Sequence, residues 1–83
     1  MSEKLCVDGF PPSTTEASLR ELFSRYGLVT AIRIDRGSNG QSLGIAEVLM
    51  ADSEAALAAI EGLHRLEVGG NRLLVFRVPT NST

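Results

Sequence analysis

The sequence predicts an α+β domain with the element order βαββαβ, in which two helices cover one face of a four-stranded antiparallel sheet. In two segments, apolar residues recur with the i, i+3, i+4, i+7 spacing of a helix face. Four short segments rich in aliphatic and β-branched residues surround them and end at glycine or proline clusters. A chain of 83 residues has room for one domain and one core.

The first strand is predicted at residues 5–7, a β-compatible run that ends at Asp8-Gly9 and a proline pair. Helix caps follow, because Ser13 and the next two threonines all favour N-cap positions, and Ser13 with Glu16 fits a capping box. Gly27 is a natural end for this first helix. Its apolar stripe consists of Leu19, Leu22, Phe23 and Tyr26.

The middle of the chain predicts a β-hairpin followed by the second helix. Residues 29–34 and 43–50 read as its two strands, and the Asn-Gly pair within residues 37–40 is a strong turn signal. Asp52 and Ser53 can each cap the helix that follows. The apolar stripe of that helix consists of Ala56, Ala59, Ile60 and Leu63.

The last strand is predicted at residues 73–78, after a turn at Gly69-Gly70 and before Pro79. The domain is then expected to span residues 4–79, and residues 80–83 are expected to form a flexible C-terminal tail. This order is the split βαβ, or ferredoxin-like, arrangement. Since each helix has one apolar stripe, both can cover the same face, which leaves the other face solvated or free for binding.

Composition limits the classes of function. The net charge is −2, which argues against strong electrostatic binding of nucleic acid, although seven of the eight basic residues are arginine. No apolar run is long enough to span a bilayer, so no membrane partner is expected. A single cysteine, Cys6, suggests an intracellular, reducing setting. Cys6 and His64 are too few ligands for a metal site, and no cofactor is expected.

Local motifs indicate the class of function more specifically than the topology does. Residues 5–10, Leu-Cys-Val-Asp-Gly-Phe, resemble the ribonucleoprotein hexamer on the first strand of RNA-recognition-motif domains. Residues 43–50 resemble the family's octamer on the third strand, and residues 19–27 its first helix with the terminating glycine. The resemblance covers residues 4–78. It implies a binding module for single-stranded RNA that uses the outer face of the sheet.

The resemblance and the alternation of strand side chains assign each residue to a face of the sheet. The side chains predicted to face the helices are Leu5, Val7, Ile32, Ile34, Ala46, Val48, Met50, Leu73 and Val75. Those predicted to face outward are Cys6, Asp8, Arg33, Leu43, Ile45, Glu47, Leu49, Leu74 and Phe76.

The outer face lacks the stacking residues that the resemblance implies. The family stacks bases on aromatic side chains at the positions of Cys6, Ile45 and Glu47, and Leu43 replaces a basic residue that contacts phosphate. Each missing platform forfeits about 1–3 kcal/mol of stacking per base. Weak or non-standard RNA binding is therefore expected.

Several residues remain candidates for that binding, each with a structural alternative. Phe76 is the one outward aromatic, unless it packs under the C-terminal tail. Arg33 could contact phosphate or pair with Glu47 across the sheet, and Arg36 lies in the predicted hairpin loop, where solvation is the alternative. The candidate RNA-binding residues are Cys6, Asp8, Arg33, Arg36, Ile45, Glu47 and Phe76.

Two other classes of function are alternatives to RNA binding. An apolar outer patch predicts a protein-interaction or homodimerisation surface instead. Its candidate residues are Leu43, Ile45, Leu49 and Leu74. Acylphosphatase-like enzymes share the topology but place an arginine in the loop after the first strand, and residues 8–15 contain no basic residue. The sequence therefore predicts a binding domain rather than an enzyme, with no catalytic residues.

Overall fold

A computed structural model describes residues 3–78 and confirms the predicted α+β architecture. The helices are α1 (Glu16–Ser24) and α2 (Ser53–Leu63). The strands are β1 (Glu3–Asp8), β2 (Val29–Arg36), β3 (Ser42–Met50), β4 (Glu67–Val68), β5 (Asn71–Arg72) and β6 (Leu74–Arg77). The main sheet has the antiparallel order β2-β3-β1-β6. Pro79 and the predicted tail at 80–83 lie outside the described residues.

The predicted turn at Gly69-Gly70 joins β4 and β5, where Val68 pairs with Asn71. These two-residue strands form a separate hairpin that the sequence did not predict, because each is too short to show a periodic pattern.

The core lies between the main sheet and the two helices. The predicted helix-facing residues are buried, except Ile32, which is half-buried. Leu19 and Phe23 of α1 are completely buried, and each contributes about 1.5–3 kcal/mol by leaving water. Tyr26 follows the last helical residue, yet its ring still packs against the core.

The predicted capping box of Ser13 with Glu16 is wrong, because Thr15 is the N-cap of α1. The Thr15 hydroxyl accepts the Ser18 N–H at 3.1 Å, and the Ser18 hydroxyl accepts the Thr15 N–H at 3.0 Å. Glu16 has a different contact: its Oε2 accepts the backbone N–H of Ile34 at 3.2 Å. A tertiary contact therefore uses the carboxylate that the sequence pattern assigned to the cap. In α2, Asp52 is the N-cap, as one of the two predicted alternatives.

Both edge strands of the main sheet have backbone groups that pair with neighbouring helices or loops. On β2, Glu16 accepts the Ile34 N–H, and Arg20 Nη1 donates to the Val29 carbonyl at 3.1 Å. On β6, the Val75 N–H donates to Nδ1 of His64 at 3.0 Å. Such contacts cover hydrogen-bonding groups that an edge would otherwise offer to another chain.

Glycines shape the turn between β2 and β3 and the end of β1. The hairpin between β2 and β3 turns at residues 37–40 as predicted, with the Gly40 N–H donating to the Gly37 carbonyl at 2.9 Å. Gly40 has φ +84°, a conformation that favours glycine. At the end of β1, Gly9 has φ +92° and lies so close to the Arg72 carbonyl that a Cβ atom would collide with it.

Candidate nucleic-acid interface

The face of the main sheet opposite the helices, called the outer face below, is open to solvent. Its side chains come from alternate positions of β1, β2, β3 and β6. All the residues predicted to face outward are half-buried or exposed, in contrast to the buried residues between them. The predicted division of the sheet into two faces is therefore confirmed.

The middle row of the outer face crosses all four strands. Arg33 lies opposite Glu47, Glu47 opposite Cys6, and Cys6 opposite Phe76. Phe76 lies on β6, an edge strand of the sheet, and is 46% exposed. An aromatic residue in this position offers a π-face on which a base can stack.

Glu47 lies between two cations. Its Oε1 is 3.2 Å from Nη2 of Arg33, and its Oε2 is 3.6 Å from Nζ of Lys4. The ion-pair interpretation of Arg33 is thus confirmed, and its guanidinium also lies 4.0 Å from Asp35. Because all these groups are partly exposed, each pair contributes no more than about 1 kcal/mol to stability. The cations nevertheless offset the charge that Glu47 would present to phosphate.

The contact of Lys4 with Glu47 was not predicted. Lys4 pairs in register with Leu49, so it is a diagonal neighbour of Glu47 rather than its direct partner. Long side chains can reach diagonal neighbours across an antiparallel pair. The available signal was the spacing of Lys4 two residues before Cys6, which places both side chains on the same face.

The next row of the outer face combines one carboxylate with aliphatic side chains. Asp8 lies between Ile45 of β3 and Leu74 of β6. Leu74 is 40% exposed. Within residues 3–78, the Asp8 carboxylate takes part in no ion pair or side-chain hydrogen bond.

The Cys6 thiol lies in the middle of this surface. Partial burial raises its pKa, and the negative charges of Asp8, Asp35 and Glu47 raise it further. The thiol is therefore protonated at neutral pH and acts as a small apolar group rather than a nucleophile. No group of three or more metal-ligating side chains occurs in the described part of the chain.

The remaining candidates lie near the two ends of the β2–β3 hairpin. Arg36 was predicted in the hairpin loop, but it is the last residue of β2 and lies opposite Ser42, because the strand extends two residues further than its β-branched run. Its Nη1 donates to the Gly40 carbonyl at 3.4 Å. Leu43, at the start of β3, is 54% exposed. Leu49, at the opposite end of β3, is half-buried.

The structure thus brings most of the candidate residues onto one surface: an exposed aromatic, a balanced charge cluster and aliphatic side chains. Arg36 lies beside the hairpin turn, and strand alternation from Arg33 does not place it on this surface. His64 is the C-cap of α2, and its contact with Val75 fixes the strand that carries Phe76. No described helix is both long and apolar enough to cross a membrane.

Comparison with known proteins shows that the chain is similar to RNA-binding proteins. A family model described as "RNA recognition motif" matches residues 5–74. The chain is 41% identical to mitochondrial glycine-rich RNA-binding protein 3 of Arabidopsis thaliana over 71 residues, covering 83% of this chain and 23% of that protein. It is 32% identical to the cytoplasmic and nuclear polyadenylate-binding protein of Eremothecium gossypii, covering 86% of this chain and 12% of that protein. The chain therefore spans less than a quarter of the length of either relative.

Solved structures of RNA-binding proteins are also similar to this chain. The crystal structure of RNA-binding protein PG1 has a TM-score of 0.90 and 29% identity, and the match covers 98% of this chain and 99% of that one. An SXL-lethal protein–RNA complex has a TM-score of 0.85 and 28% identity, with 90% of this chain and 47% of that one covered.

Proposed function

Because this chain belongs to the RNA recognition motif family, we propose that it binds single-stranded RNA on the outer face of its sheet. The observation that carries the proposal is the exposed Phe76 ring in the middle row of that face. Domains of this family recognise unpaired bases by stacking them on side chains of the sheet. The role is one of binding rather than catalysis. The similar proteins named for RNA binding, and the SXL-lethal protein–RNA complex, support it.

The proposed mode of binding is non-standard, with one aromatic platform instead of several. Cys6, Ile45 and Glu47 occupy positions where the family stacks bases, and none of them has a π-face. Stacking contributes about 1–3 kcal/mol per base, and 1.4 kcal/mol corresponds to a tenfold change in affinity. Each absent platform thus weakens binding by about one to two orders of magnitude.

Other side chains of the outer face support contact with RNA in different ways. Leu74 offers apolar surface beside the Phe76 ring, and Ile45 offers more of it on the far side of Asp8, so a base or sugar can pack against either. Arg33 and Lys4 supply positive charge, although Glu47 engages both when RNA is absent. Arg36 lies beside the hairpin turn, where it can contact RNA that extends past the sheet. Charge therefore has a smaller role than in a basic nucleic-acid-binding domain.

Removal of the Phe76 ring tests the proposal. Fluorescence anisotropy with a labelled pool of short single-stranded RNAs should show that Phe76→Ala raises the Kd by about 5- to 150-fold, the equivalent of one stacked base. The matched control is Leu57→Ala, which truncates an exposed apolar side chain on α2, away from the outer face. A Phe76→Ala variant that stays folded and binds within about twofold of the native chain would refute this site.

A second candidate function is a protein interaction or homodimer that uses the apolar part of the outer face. The exposure of Leu43 and Leu74, at 54% and 40%, favours it. Light scattering of the native chain and of an Ile45→Arg variant distinguishes this candidate. A dimer that the substitution disrupts would support it, whereas a monomer over the whole concentration range would leave RNA as the proposed ligand.

A further inference from the structure

Asp8 presents hydrogen-bond acceptors on the outer face that no side chain among the described residues uses. The other two carboxylates of this face, Glu47 and Asp35, both contact cations. Within residues 3–78 the Asp8 carboxylate has neither an ion-pair partner nor a side-chain hydrogen bond. Its cross-strand neighbours, Ile45 and Leu74, are aliphatic and cannot donate. An ionised carboxylate accepts hydrogen bonds and donates none, so a ligand here must bring the donors.

The position of Asp8 relative to Phe76 suggests which part of a ligand supplies those donors. Asp8 lies opposite Leu74, and Phe76 lies two residues further along the same strand, opposite Cys6. Asp8 and Phe76 are therefore diagonal neighbours on adjacent antiparallel strands, about 7–8 Å apart. A base stacked on the Phe76 ring can extend across this diagonal and place its edge beside the carboxylate. Phosphate cannot occupy the same place, because the two negative charges repel each other.

The hydrogen-bonding edges of the four bases differ in what they offer a carboxylate. The Watson–Crick edge of guanine carries two adjacent donors, N1–H and the N2 amino group, which match the two carboxylate oxygens. Adenine and cytosine each place their amino donor next to a ring-nitrogen acceptor, and uracil places its imino donor between two carbonyl oxygens. Those neighbouring acceptors repel a carboxylate. Guanine alone among the four can form a charge-assisted bidentate pair.

We infer that the outer face selects guanine for the base stacked on Phe76, and that the Asp8 carboxylate reads the N1–H and N2 amino donors of that base. The inference rests on the proposed RNA-binding function and names the base that this part of the surface takes. This arrangement also explains how an acidic side chain in the sheet contributes to binding a polyanion. The carboxylate contacts the edge of the base, away from the phosphates of the RNA backbone. The preference comes from hydrogen bonds, while Phe76 supplies stacking that tolerates any base.

The test uses short oligouridine RNAs that carry guanosine, inosine, adenosine or uridine at one fixed position, with affinities measured by fluorescence anisotropy. The guanosine probe should bind about tenfold more tightly than the adenosine and uridine probes, which lies within the discrimination of about 5- to 150-fold that a bidentate pair provides. Inosine lacks the N2 amino group and should fall between them. Equal affinities for all four probes would overturn the inference.

Two isosteric variants assign the preference to one carboxylate. Asp8→Asn replaces one acceptor with a donor, so the guanosine preference should fall below about twofold. Asp35→Asn makes the same change on another outer-face carboxylate and should keep the preference. An Asp8→Asn variant that still prefers guanosine by tenfold would refute the assignment. Phe76-dependent binding without base preference would refute the inference alone, whereas absence of binding to every probe would refute the proposed function with it.

Discussion

Substitution of Glu47 by glutamine tests how charge on the outer face controls RNA binding. The Glu47 carboxylate lies 3.2 Å from Arg33 Nη2 and 3.6 Å from Lys4 Nζ, so the substitution removes the anion that both cations contact. The shape of the side chain is conserved. The outer face carries two cations, on Lys4 and Arg33, and three carboxylates, on Asp8, Asp35 and Glu47. Glu47→Gln therefore changes the formal charge of the outer face from −1 to zero.

The geometry sets the size of the expected effects. The Glu47 side chain is 37% exposed and that of Arg33 is 70% exposed, so loss of the two pairs should cost no more than about 1 kcal/mol each in folding stability. The affinity for RNA should rise, whereas the folding stability falls. For single strands, each cation that engages a phosphate adds about 0.7 to the slope of log K against log salt. Two released cations should therefore steepen that slope by up to about 1.4, with tighter binding at low salt.

The assay is fluorescence anisotropy with one guanosine-containing RNA over a series of salt concentrations. Glu61→Gln is the matched control, because it makes the same change of charge on an exposed residue of α2, in the helical layer. Glu61→Gln should leave the slope unchanged. If Glu47→Gln behaves like Glu61→Gln in both affinity and slope, Arg33 and Lys4 do not contact phosphate, and the reasoning is refuted.

Three further predictions concern the scaffold and the thiol. In urea denaturation, His64→Ala should lose about 1–2 kcal/mol, because the Val75 N–H loses its acceptor, while His64→Asn, whose side-chain oxygen can replace Nδ1, should lose about half as much or less. Gly9→Ala should lose about 1–3 kcal/mol in the same assay, because of the positive φ and the collision with the Arg72 carbonyl. The rate of Cys6 labelling by a thiol reagent should reach half its maximum at a higher pH than that of free cysteine, because burial and nearby carboxylates raise the pKa of the thiol.

Each of these predictions has a distinct contrary result. Equal losses for His64→Ala and His64→Asn would show that the ring stabilises by packing rather than by accepting the Val75 N–H. If Gly9→Ala is as stable as the native chain, the backbone after β1 adjusts to the added methyl group without a cost in folding free energy. A labelling midpoint at or below that of free cysteine would mean that the Cys6 thiol is neither desolvated nor affected by the carboxylates around it.

The sequence predicted the two faces of the sheet well, because they depend on local alternation. Aliphatic residues such as Val7 and Val48 lie buried, and their outward neighbours Cys6 and Glu47 do not. The pairing of Arg33 with Glu47 could be predicted only as a contact between outward residues of neighbouring strands, because the hairpin register shifts between Ile34 and Arg36.

Contacts between distant segments could not be predicted in the same way. Ser13, Thr14 and Thr15 are all suitable N-caps, and the choice of Thr15 accompanies the contact of Glu16 with the edge of β2. The hydrogen bond between His64 and β6 depends on where α2 ends relative to that strand. Neither contact has a periodic signal in the sequence, because each depends on how separate elements pack.

The most direct test of the central claim, that single-stranded RNA binds on the outer face of the sheet, is a titration of the isotopically labelled chain followed by backbone amide NMR. The account predicts shifts concentrated at outer-face positions, above all Asp8, Ile45, Glu47 and Phe76, with the exposed side of α2 around Leu57 and Glu61 unchanged. Shifts confined to the helical layer, or no shifts at saturating RNA, would contradict it.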